Sequence, residues 1–210
     1  MPKTHEPAPG RETYRAASAP WLTGFLATLG LVVLLSGWGH TASHHVAAVC
    51  GGLALAALGY ALYWRPRLEV RSEGVRLVNP ARSVSIPWGR IVDVRTRFAV
   101  TIATEERAHS SFALPASGAG STLRAGADAV NRNHPIARPD GSVRVGDLTS
   151  TASGAAAHRV RTLWQRKIDT GELDVFATDK DPEPVRSHVV AGPLAAVVVL
   201  GAASVLLYTV

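Results

Sequence analysis

The sequence predicts an α+β membrane protein: a small antiparallel sheet held between helices that cross a bilayer. Three observations carry that expectation. Apolar and polar residues alternate from Arg65 to Pro115, with turn chemistry every six to ten residues or so. Three long apolar runs flank this stretch without a single charged residue. Every Lys, Arg, Asp and Glu lies either in 1–20 or in 65–187.

Composition agrees. Of the 210 residues, 47% are hydrophobic and only 18% charged, against about 25% in an ordinary globular protein. The net charge is +6, with Lys3, Arg11 and Arg15 against Glu6 and Glu12 in the first segment and the remainder in the second. So basic a chain can meet nucleic acid or an anionic membrane surface. No helix gathers the basic residues and no aromatic RNA-binding strand or zinc-finger spacing occurs, so no nucleic-acid partner is expected. The single cysteine, Cys50, rules out an internal disulfide and sits in an apolar run as a small packing residue.

Residues 1–20, rich in Pro, Ala and charge, read as a disordered tail. The first span runs from Trp21 to Trp38, about 26 Å at 1.5 Å per residue, with tryptophans at both interfaces. A signal peptide is the competing reading; the run is longer than a usual signal core and a second apolar run follows almost at once. That second run, Val46 to Trp64, ends in Tyr60, Tyr63 and Trp64, and the two form a transmembrane hairpin over 21–64. Ala48, Gly52 and Ala56 repeat every four residues along one face, where small side chains let a neighbouring helix approach. The partner helix is left open.

The strands fall at Leu68–Val70, Val75–Leu77, Val84–Ile86, Ile91–Val94, Phe98–Ile102 and Phe112–Leu114. Residues 116–153 lose the pattern and read as a mobile insertion, with a short candidate strand around Val143 and Val145. From 154 to 167, Ala156, Val160, Leu163 and Trp164 share a helical face that can lid the sheet, capped by Ser153, with Trp164 as its plug. Trp88 and Ile91 join Trp164 in the expected core. A polar linker, 171–187, leads to a third span from Val189 to the C-terminus, with Pro193 in its first turns.

Lys3, Arg11 and Arg15 before the hairpin, Arg65, Arg67 and Arg71 after it, and no Lys or Arg between the spans fit the positive-inside rule with the N-terminus and 65–187 cytoplasmic. The C-terminus is then outside an inner membrane.

The pair of spans followed by RPRLEV, GVRLVNP, IPWGRIVDV and FALPA resembles the bacterial pleckstrin-homology (PH) domain membrane proteins of the low molecular weight protein antigen 6 type, common in actinobacteria. The resemblance is clearest over 65–116, and Pro87 and Trp88 followed by Ile91 are its most specific part. It implies a PH-like curved sheet closed by a C-terminal helix, and no catalytic residues. The basic loop with which eukaryotic lipid-binding PH domains grip inositol phosphates is here Ser72, Glu73 and Gly74, short and acidic.

No phosphate loop, dinucleotide fingerprint, zinc-protease motif or cysteine pair occurs, so no enzyme activity, metal or cofactor is expected. His40, His44 and His45 cluster between the spans but lack a carboxylate or thiolate to complete a metal site. Three functional expectations follow. The first is a non-enzymatic protein whose PH-like domain recruits a protein partner at the membrane. The second is a sensor of anionic lipid headgroups through Arg65, Arg67, Arg71, Arg95 and Arg97. The third is an accessory subunit of a membrane enzyme or transporter.

Overall fold

The computed structural model describes residues 11–39, 41–115, 151–173 and 183–209. The chain divides into two units, one made of 1–16, 67–78 and 84–187, the other of 17–66, 79–83 and 188–210.

The first unit is built on alternation. Strands β1 (Glu12–Tyr14), β2 (Arg67–Val70), β3 (Gly74–Val78), β4 (Arg82–Pro87) and β8 (Arg186–Val189) form one sheet in the order β1-β2-β3-β4-β8. Strands β5 (Asp93–Arg95), β6 (Ala99–Ala103) and β7 (Ala108–Pro115) form a second. β2 and β3 are antiparallel, Leu68 opposite Leu77 and Val70 opposite Val75, so both pairs of side chains fall on one face. That face meets Val84, Ile86, Trp88, Ile91, Val94, Val100, Ile102 and Leu114 in a single core.

Helix α3 (Ala152–Asp169) closes the core with Ala156, Ala157, Val160 and Leu163. Trp164 is only partly buried and packs at the core's margin, so the expected plug is displaced one residue to Leu163. Nor is Ser153 the cap: Thr151 stands before the helix, and its Oγ1 accepts from the Gly154 N–H at 3.0 Å. The helix stops where Gly171 turns to φ +73°, with Leu173 N–H donating to Lys167 O at 3.0 Å.

Close approach dictates another glycine. A Cβ on Gly74 would collide with the Ile86 carbonyl oxygen and Pro87 Cα, where β3 starts against the end of β4. Next to it Trp88 is buried, and its indole Nε1–H donates to the carbonyls of Arg71 at 3.2 Å and Ser72 at 3.0 Å.

In the second unit, α1 (Ala19–Ser36) and α2 (Ala42–Gly59) are apolar, and α2 continues through a π-helical turn, Tyr60–Trp64. Two helices, Ala19–Ser36 and Ala42–Trp64, are long and apolar enough to cross a membrane, spanning about 27 and 34 Å. Helix α4 (Gly192–Tyr208) is apolar but shorter, 17 residues or about 25 Å. It begins three residues later than expected, because Arg186–Val189 is strand and Val190 N–H donates to Ala81 O at 2.8 Å. Pro193 occupies its first turn.

Residues 1–20 are not all tail, since Glu12–Tyr14 is a strand and α1 has begun by Ala19. The expected insertion lies outside the described residues except for its last three positions, as does the candidate strand around Val143 and Val145. The same holds for His40 and for most of the polar linker.

Candidate interaction surface

Antiparallel pairing puts alternate residues of β1, β2 and β3 on the face opposite the core. Thr13 lies across from Glu69, and Glu69 across from Arg76. Arg67 and Arg71, two positions either side of Glu69, share its face. Glu69 is fully buried, and three guanidiniums hold it. Arg67 Nε donates to Oε1 at 2.6 Å, Arg71 Nη2 to Oε2 at 2.5 Å, and Arg11 Nη2 also to Oε1.

Burial is the largest single influence on this carboxyl and would raise its pKa. The bonds from Arg67, Arg11 and Arg71 together outweigh it and hold the group at about 2. Arg71 also reaches Glu73 at 3.6 Å. A carboxylate so enclosed orders the arginines around it, while the side chains of Arg11, Arg67 and Arg71 stay 56%, 27% and 26% exposed.

On its core side β1 is tied to α3. Arg159 Nε donates to both oxygens of Glu12 at 3.0 Å, and Tyr14 donates its hydroxyl to Glu12 Oε2 at 2.9 Å. The Arg159 bond lowers the Glu12 pKa. Burial, then the bond to Glu12, push the Tyr14 phenol up to about 12.

The five arginines singled out in the sequence have different surroundings. Arg65 is buried, its Nη1 donating to the carbonyls of Asn79 at 2.5 Å and Pro80 at 2.8 Å, which corrects the expectation of a displayed charge. Arg67 and Arg71 meet at Glu69. Arg95 pairs with Asp93 at 2.7 Å, both exposed. Arg97 lies over the Phe98 ring at 4.9 Å, between β5 and β6, with Phe98 itself 77% exposed.

Arg11, Glu69 and Arg76 were missed. The Arg-x-Glu-x-Arg spacing of 67, 69 and 71 is the signal that could have revealed the first shared face, since strand geometry sets all three on one side. Nothing local marks Arg11, which arrives from 58 residues away in sequence.

The small-residue face of α2 meets α1. Gly52 and Gly30 pack backbone to backbone, Ala56 N would be 3.4 Å from a Cβ on Gly30, and Ala48 Cβ 2.6 Å from one on Gly37. The neighbouring Gly51 faces α4, where a Cβ would meet Ser204 Oγ at 2.9 Å. Ser204 Oγ donates to Ala47 O at 2.8 Å. His44 and His45, expected in the connection, lie in the first turn of α2; the His44 ring sits edge-on to Tyr208, 5.2 Å away, and His45 edge-on to Trp38, 6.0 Å away.

Two sheets packed around one core, with a helix lidding them, have the general form of a PH domain. Residues 65–135 match the family model of the bacterial PH domain. The match covers about a third of the chain and takes in β2 to β7. No curated protein and no solved structure matches the chain. The PH-like match starts at Arg65, immediately after the π turn ends at Trp64.

Proposed function

We propose that this chain is a non-enzymatic protein of the bacterial inner membrane, related to the antigen 6 type, that recruits or organises a protein partner through its PH-like domain. One observation carries the architecture. β1, before α1, pairs with β2, after α2, through Thr13 opposite Glu69. Two paired strands must lie in one compartment, so α1 and α2 together cross the bilayer an even number of times. That supports a hairpin, and the basic flanks favour the cytoplasm for the sheets. In this reading α4 is a third, thin span that carries the C-terminus outside.

Phe98, Phe112 and Val92 are exposed large apolar side chains of the β5–β7 sheet and its turns, at 77%, 53% and 53%. With Arg97 stacked on Phe98, they offer the aromatic and cationic groups that anchor protein interfaces. The test is a photocrosslinking residue at Phe98 or Phe112 in living cells. A discrete protein adduct, lost when Phe98→Asp is added to the Phe112 probe, is the expected result; adducts to lipid alone would sink the reading.

The exposed Arg97 and Phe98 also favour a second reading, contact with anionic headgroups, in which an aromatic ring enters the interface beside a cation. Lipid adducts at Phe98 that vanish with Arg97→Glu would decide for it.

A further inference from the structure

The arginine face of the β1-β2-β3 sheet is positively charged among the described residues. Arg11, Arg67, Arg71 and Arg76 share it with Glu69, and among the described residues Glu73 is the other carboxylate in contact, so that these six groups carry two more positive charges than negative. Arg15, one residue past β1, adds to the same sign. Arg76 differs from the others. It stands directly across from Glu69 yet makes no bond to it, and its Nε is buried without a hydrogen-bond acceptor among the described residues. Buried guanidinium nitrogens are ordinarily paired, so an orphan beside a preorganised cluster marks a place where an acceptor belongs.

We propose that Arg11, Arg67, Arg71 and Arg76 form an oxyanion site that takes a phosphate monoester, with Arg76 supplying the donor that has no acceptor among the described residues. The assignment does not rest on the partner reading above. Three properties select the ligand. A phosphate monoester carries about −1.5 to −2 at neutral pH, matching the excess charge, where one carboxylate matches half of it. Its oxygens accept from the planar forks that guanidiniums present. Glu69, sealed beneath, fixes three of those forks in advance, so little ordering remains for the ligand to impose. An acidic peptide would place single charges at backbone spacing on a cluster held around one point.

The phosphate can come from a soluble phosphorylated compound or from the phosphomonoester headgroup of a lipid, and the experiment separates them. The full-length protein is placed in phosphatidylcholine nanodiscs and titrated calorimetrically with phenyl phosphate. In parallel, amide exchange of residues 67–78 is compared between discs with and without phosphatidic acid. Saturable binding of phenyl phosphate, weakened about tenfold or more by Arg76→Ala and largely restored by Arg76→Lys, supports the site with a soluble ligand. Slower exchange in phosphatidic acid discs alone, with the same dependence on Arg76, supports it with a lipid ligand. Because Arg76 makes no bond to Glu69, Arg76→Ala leaves the Glu69 network whole, and Arg76→Gln serves as the second variant. Binding in neither arm, binding indifferent to Arg76, or preference for a poly-glutamate peptide over phenyl phosphate overturns the proposal.

Discussion

Arg159 of α3 grips Glu12 of β1 from the side, with Nη2 2.6 Å and Nε 3.0 Å from Oε1. A three-residue strand has too few ladder bonds to stand alone, and this two-nitrogen clasp is what fastens it to the domain's lid. Arg159→Ala should therefore loosen β1 before anything else. The expected cost is about 1 kcal/mol, seen as roughly fivefold faster amide exchange at Thr13 and Tyr14 with β6 unaffected. Equal acceleration in both strands would mean that the clasp supports the whole domain.

Glu69 is the more consequential carboxylate. Glu69→Ala leaves three guanidiniums facing one another, and the expected loss is about 3 kcal/mol by chemical denaturation. Truncating Arg11, the most exposed of the three, should cost less than half as much.

Acid should weaken the same network. The Glu69 carboxyl, held at about 2 in the folded chain against an ordinary value of 4.5, contributes its full stabilisation above pH 4.5 and loses it as pH falls towards 2. Stability measured between pH 5 and 2.5 should fall more steeply for the natural protein than for Glu69→Gln. Parallel curves would contradict the depressed pKa.

The helix pair gives a sharper contrast. Gly52→Leu forces α1 and α2 apart at Gly30, whereas Gly24→Ala enters open space. In detergent, the first variant should lower the melting temperature by several degrees and the second should leave it unchanged or slightly raised. A Gly52→Leu protein that melts normally would show that the hairpin is not held by this contact.

Gly74→Ala tests the corner of the sheet. Its methyl group would have to displace the backbone of Ile86 and Pro87, neither of which can swing away, so a loss of about 2 kcal/mol is expected. Gly192→Ala, with nothing nearby, is the control for composition alone.

What the sequence made legible was whatever repeats locally. Leu68 and Val70, Val75 and Leu77, Val84 and Ile86, Val100 and Ile102 alternate as a half-buried sheet requires, and every one of them is in the core. The uncharged runs announced their helices for the same reason. Phe98 shows where alternation misleads: it keeps step with Val100 and Ile102, but β6 begins only at Ala99, and the ring faces solvent. Long-range partners left no local trace. Glu12 and Tyr14 form a strand only because β2 and Arg159 are there to receive them, and Glu69 resembles any solvated strand residue until three arginines close over it. Thr151 and Ser153 are both competent caps, and only the path of the chain into the helix decides between them.

The pairing of β1 with β2 also sets a sequence of events in the making of the protein. Residues 12–14 leave the ribosome first, but their partner strand follows the whole of α1 and α2. On the hairpin reading proposed above, the sheet's outer strand waits, unpaired, until both helices have entered the bilayer. In that reading, a chain in which one helix fails to insert strands the two halves of the ladder on opposite sides. Completion of the sheet would then report correct insertion, and failure would leave the edge of β2 unmated.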